Sequence, residues 1–155
     1  MTLPATDKSA CENLFQVWDH DPAVNTALVC SPDGGTTQRW VDMRDYLHFD
    51  ALVIATILAG AGPTLIEIVA AEDAAGTHIT QVKSSGVVAL TTLASWAFLE
   101  CSAEEVAAAG AAAGYNLRYV AARITLADVG DEAMVVYRAT ARYRHDAITS
   151  PVTIA

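Results

Sequence analysis

The sequence predicts a mainly β protein, an antiparallel β-sandwich or jelly roll with one short helix and extended arms at its N- and C-terminal ends. Three observations predict it. Roughly six to eight stretches rich in Val, Ile and Thr are separated by turn residues about every ten positions, the rhythm of a two-sheet domain. Several of these stretches alternate with period two, as a half-buried strand must. Only Ser102 to Gly114 has the composition and caps of a helix. At 155 residues the chain fits one core. It divides into an N-terminal arm (1–35), a β-sandwich domain (36–145) and a C-terminal tail (146–155).

The arm reads as irregular, because Pro4, Pro22 and Pro32 interrupt it and it ends in Ser31-Pro32-Asp33-Gly34-Gly35. Only Asn25 to Cys30 resembles a short strand. The arm nevertheless carries Leu14, Phe15, Val17 and Trp18, which would not stay free in water, so it packs on its own domain or on a neighbour.

From residue 36 onward the pattern is β. Thr37 to Val41 reads as a strand, after which Asp42 can cap one helical turn through Tyr46. Phe49 to Leu58 is apolar on both alternating sets, which predicts a strand covered on both faces. Gly60-Ala61-Gly62-Pro63 makes a turn, and Thr64 to Ala71 returns as a hairpin partner. After the loop Glu72 to Gly76, Thr77 to Lys83 is a strand of β-favouring residues, broken at Ser84-Ser85-Gly86. Trp96 to Cys101 is the next strand. Ser102-Ala103-Glu104-Glu105 matches a capping box for an alanine-rich helix that Gly114 stops. Leu117 to Leu126 and Ala133 to Arg144 are separated by the short acidic turn Ala127 to Asp131, which predicts a closing hairpin. In its second strand Val135, Tyr137, Ala139, Ala141 and Tyr143 share one face, and Val136, Arg138, Thr140, Arg142 and Arg144 the other. Asp146 to Ala155 reads as an extended tail.

Composition excludes several functions. The formal net charge is -9, which opposes nucleic-acid binding, since neutralising phosphate needs surplus Lys and Arg. The N-terminal residues have no basic stretch followed by an apolar run, so no secretory signal is expected, and the protein is placed in a cytoplasm-like compartment. The apolar run Ala51 to Ala61 is shorter than the roughly 20 residues of a membrane span. Hydrophobic residues make up 53% and charged residues 17%, and mean hydropathy is +0.30. That balance suits a surface partly covered by neighbouring subunits.

No catalytic, metal-binding or cofactor-binding pattern stands out. Cys11, Cys30 and Cys101 have neither disulfide nor zinc spacing and read as reduced, mostly buried thiols. His20, His48, His78 and His145 are far apart in sequence, with His48 and His78 expected to face water. No serine sits in a nucleophile-elbow frame. Glu67, inside an apolar strand, reads as an outward residue. The glycines at 34 and 35 precede a strand and so form no phosphate loop. The feature that remains is basic: Arg118, Arg123, Arg138, Arg142 and Arg144 are five of the nine basic residues and fall in the final predicted hairpin. They predict a basic stripe for docking on an acidic shell or another copy.

The run Arg39-Trp40-Val41-Asp42-Met43-Arg44-Asp45-Tyr46 before an apolar strand, the loop from Glu72 through Asp73-Ala74-Ala75-Gly76-Thr77, and Tyr119-Val120-Ala121-Ala122-Arg123 before the last strand together resemble small β-sandwich structural proteins of tailed bacteriophages. The likeness spans roughly residues 37–144. It implies a non-enzymatic virion component, a capsid decoration or cement protein on the head surface, often a trimer, assembled in the host cytoplasm, with the major capsid protein and copies of itself as partners. The alanine-rich helix and the long arm depart from that pattern. A neck, tail or baseplate adaptor is the alternative within the virion. A carbohydrate-binding module is a weaker one, because Trp18, Trp40 and Trp96 are scattered. Under the assembly reading, Phe15 and Trp18 of the arm and the five arginines are the partner-binding residues.

Overall fold

The computed structural model describes residues 14–20, 27–30, 37–60, 62–87 and 90–142. They form nine strands and one helix: β1 (Leu14–His20), β2 (Ala27–Val29), β3 (Val41–Asp42), β4 (Tyr46–Ile57), β5 (Pro63–Ala71), β6 (Thr80–Val87), β7 (Trp96–Ser102), α1 (Ala103–Ala113), β8 (Tyr119–Leu126) and β9 (Glu132–Ala141). One sheet has the order β1-β9-β4-β7. The other has the order β2-β8-β5-β6, with β3 also paired to β8. Every pairing is antiparallel.

With the two-residue β3 set aside, the first strand pairs with the last, the second with the second-last, and so inward to β5 and β6. That is one long hairpin rolled into two facing sheets, the jelly-roll arrangement. It corrects two expectations. Neither β4 and β5 nor β8 and β9 form a hairpin: each pair is adjacent in sequence but lies in opposite sheets, so its connection arches across the core. The hairpin between neighbours is β5–β6.

The N-terminal segment also departs from the expected irregular arm. Residues 14–20 form β1, in register with β9 from Leu14 opposite Ala139 to His20 opposite Ala133. Of its apolar side chains, Leu14 packs against the core, while Phe15 and Val17 stay exposed. Strand structure near Thr37 is confined to Val41–Asp42. Residues 43–45 make a hydrogen-bonded turn rather than a helical one, with Asp42 Oδ1 accepting the Arg44 N–H at 3.1 Å. β6 starts at Thr80 and runs through Ser84-Ser85-Gly86, where register shifts against β5 absorb the irregularity and Gly86 takes φ +67°.

The helix forms as its sequence dictates. Ser102 accepts the Glu105 N–H while the Glu105 carboxylate accepts the Ser102 N–H at 2.9 Å, and Gly114 ends the helix at φ +79°. Only Val106 and Gly110 are buried, because most of its alanines face outward.

Phe49, Ala51, Val53, Ala55, Val135, Tyr137 and Ala139 line the core from the first sheet, and Ile66, Ile68, Val120 and Ile124 join it from the second. Tyr137 links the two. Its ring meets Phe49 edge-on at 4.7 Å, and its hydroxyl accepts the Ala122 N–H of β8 at 2.5 Å. Complete burial raises the Tyr137 hydroxyl well above the ordinary tyrosine range, so it stays neutral.

Candidate functional site: the outward face of the four-stranded sheet

Side chains on a strand alternate between faces, so burial of Phe49, Ala51, Val53 and Ala55 turns Asp50, Leu52 and Ile54 of β4 outward. Cross-strand register extends that set over the whole sheet. Leu52 lies opposite Val136 on one side and Phe98 on the other, and Val136 lies opposite Val17. The next row is Asp19, Met134, Ile54 and Trp96. The row on the other side is Phe15, Arg138, Asp50 and Glu100. One row is wholly apolar, one is apolar except for Asp19, and one carries an ion pair.

The face is open. Phe15 is 67% exposed and Trp96 64%, while Leu52 and Ile54 are half-buried. Leu52, Ile54, Trp96 and Phe98 enclose an apolar depression of about 440 Å³. Arg138 Nε donates to Asp50 Oδ1 at 2.8 Å, and the guanidinium sits 5.8 Å from the centre of the Phe98 ring. The hydrogen bond and charge of Asp50 raise the Arg138 pKa further, so this cation persists at every ordinary pH.

The expected basic stripe does not form. Arg118 donates through Nε to Asp42 Oδ1 at 2.8 Å. Arg123 of β8 is the direct cross-strand partner of Glu67 on β5, at 2.7 Å. Arg142 reaches the Met43 carbonyl at 3.4 Å. The placement of β8 and β9 in different sheets separates Arg123 from Arg138, and each of Arg118, Arg123 and Arg138 faces a carboxylate. Arg144 lies outside the described residues. Of the arm residues, Phe15 stands on the open face. Trp18 lies opposite Val135 in the ladder, and its side chain is outside the described set.

Glu67 is 4% exposed, so it is buried and salt-bridged rather than solvated. His48 is exposed, as expected. His78 is exposed as well, as expected, but held in place: its Nδ1 lies 2.6 Å from Glu72 Oε2, its ring stacks on Tyr115 at 4.1 Å, and its backbone takes φ +54°. Glu72 also accepts the Asn116 N–H at 3.2 Å, so this cluster ties the β5–β6 loop to the chain after α1. A second depression, of about 390 Å³, lies between His48, Glu104 and Arg142 at the start of α1. Among the described residues no three His, Cys, Asp or Glu side chains come together as a metal site, and no helix is long and apolar enough to cross a membrane.

Leu52, Ile54, Trp96, Phe98 and Val136 of the open face belong to no sequence motif. The signal was present in β4, where the second apolar set demands a cover that this chain's described residues do not supply. No family model matches the chain, and no curated protein matches it.

Proposed function

We propose that this chain is a non-enzymatic structural subunit of a tailed-phage virion, a capsid decoration or cement protein that binds the major capsid protein of the head shell and copies of itself. The observation that carries the reading is the apolar outward face of the β1-β9-β4-β7 sheet. Phe15, Trp96 and Phe98, at roughly 200 Å² each and their degrees of exposure, together leave on the order of 300 Å² of apolar surface, and Val17, Val136, Leu52 and Ile54 between them add to it. Patches beyond a few hundred Å² mark interaction surfaces, and a neighbouring subunit would cover this one. The rolled-hairpin topology supports the reading as well, because jelly rolls are used in viral shells. Fold alone assigns no role, so the face bears the weight. Repeated modest contacts on a lattice reinforce one another through simultaneous engagement, so shell rupture requires many to break together.

The alternative within the virion is a neck, tail or baseplate adaptor, and copy number separates the two. The experiment is quantitative mass spectrometry of purified particles, with labelled peptides of this chain as standards. A lattice-like count matching the major capsid protein by a small integer ratio is the expected outcome. A count of a dozen or fewer moves the chain to the neck or tail, and absence from the particle ends the virion reading.

A further inference from the structure

We propose that the outward face of the four-stranded sheet is covered by the same face of a second copy, related by a two-fold axis that runs parallel to the strands between β9 and β4. The proposal deepens the assembly reading by naming the self-contact, and it concerns the protein in solution, without a particle.

Register and charge on the face both fit this contact. A two-fold axis in that position keeps each row of side chains at its own height and reverses the order of strands. β9 of one copy then lies over β4 of the other, and β1 over β7. In the charged row, Arg138 comes to face Asp50 of the second copy, and Asp50 faces its Arg138. Two salt bridges within the copies thus become a four-charge cluster of alternating sign, with over half of the Arg138 side chain open to receive it. In the apolar row, Val136 meets Leu52 and Val17 meets Phe98. In the third row, Met134 meets Ile54. The remaining charges, Glu100 and Asp19, come opposite Phe15 and Trp96 of the second copy, but at the sheet edges, where an interface keeps a polar, solvated rim. The face is therefore complementary to itself under this operation, the condition for an isologous dimer.

The end-for-end stacking fails on charge. Turning the second copy end for end, about an axis perpendicular to the strands, sets the charged row against the row that contains Met134 and Ile54. That would bury Arg138 and Asp50 against apolar side chains, at a desolvation cost offset only by their own internal pair and by no contact between the copies.

The size also fits. The four strands are 7, 10, 12 and 7 residues long, and at a spacing of about 4.8 Å and about 3.4 Å per residue they project to roughly 590 Å². Side-chain relief brings that to the order of the 800 Å² per partner that a stable dimer buries. Two twisted sheets pack face to face in aligned fashion, with interdigitating side chains, in any β-sandwich. Here the same geometry joins two sandwiches.

The test is the mass of the full chain in solution by light scattering after gel filtration, at tens of micromolar. The expected mass is twice 16.3 kDa. Leu52→Asp, in the centre of the face, is expected to give a folded monomer, with far-ultraviolet circular dichroism and thermal unfolding still cooperative. The charge pair gives a second, sharper reading. Asp50→Arg alone sets four guanidinium groups together across the axis and should raise the dimer dissociation constant at least about 100-fold. The exchange Asp50→Arg with Arg138→Asp rebuilds both the internal pair and the contact between copies, and should restore the dimer. A wild-type monomer or trimer overturns the proposal, as does a Leu52→Asp protein that remains dimeric. A wild-type monomer that dimerises only after removal of residues 1–13 or 143–155 also overturns it, since the chain's own ends would then be the cover. A dimer absent from particles leaves this contact standing while ending the virion reading, so the two fail separately.

Discussion

The carboxylate of Asp131, just before β9, accepts the backbone N–H of Gly62, 69 residues earlier, through Oδ2 at 3.0 Å. The same side chain accepts from Ala59 at 2.9 Å, Gly60 at 2.8 Å and Asp128 at 2.9 Å, and it is fully buried. One carboxylate therefore satisfies four amides and fastens the β4–β5 arch to the β8–β9 arch at one end of the roll. Gly62 is bound to this place. It takes φ +70°, and a Cβ there would stand 2.3 Å from the Leu90 carbonyl oxygen.

Asp131→Ala leaves those amides without their acceptor and is expected to cost about 2–4 kcal/mol. Asp131→Asn should cost less, since its carbonyl oxygen still accepts, although its NH₂ confronts donors. Urea titration followed by circular dichroism gives both values. An Asp131→Ala protein within error of the wild type would show that water replaces the latch.

Asp42 stands between two arginines. Partial burial would raise its carboxyl, but hydrogen bonds from Arg118 and Arg44 outweigh this and hold it well below the usual carboxylate range. A depressed folded value means the pair stabilises the fold above the unfolded carboxyl's range, near pH 4, and that this support is lost as pH falls toward the folded value. Asp42→Asn should therefore be less stable at neutral pH, by about 1 kcal/mol because the site is partly exposed and screened. The gap should narrow below about pH 4. Unfolding midpoints measured across that range decide it: a constant gap would mean that packing, and not charge, sets the difference.

Cys30 and Cys101 are buried, and burial raises both thiols, Cys101 to about 12. In a Cys11→Ser protein, a thiol-reactive chromogenic disulfide at mildly alkaline pH is expected to leave both unmodified while the protein is native. Both should react once it is denatured. Rapid labelling of either in the native state would place it in a region that opens locally.

Local patterns were legible where the physics is local. The alternation from Ala133 to Ala141 sorts β9 into a core face and an outer face, as period two requires, and the Ser102–Glu105 capping box and Gly114 set both ends of α1. β1 was less legible. Neither of its alternating sets is uniformly apolar, because Gln16 and Asp19 interrupt them, and its pairing with β9 closes across more than a hundred residues. The arginines show the same limit: their positions are plain in sequence, but their neutralisation by Asp42, Glu67 and Asp50 depends on which strands lie side by side.

By itself, then, the sequence determined an acidic, mainly β chain with one capped helix and an unusual doubly apolar β4, because composition, propensity and period act over a few neighbouring residues. Only the tertiary structure decided that adjacent strands part company into opposite sheets and that the second apolar set of β4 joins Phe15, Val17, Val136, Trp96 and Phe98 in one open face. The reason is that strand pairing is a contest among distant partners, settled by burying one face of each strand, and the face left over is visible only once all the partners are chosen.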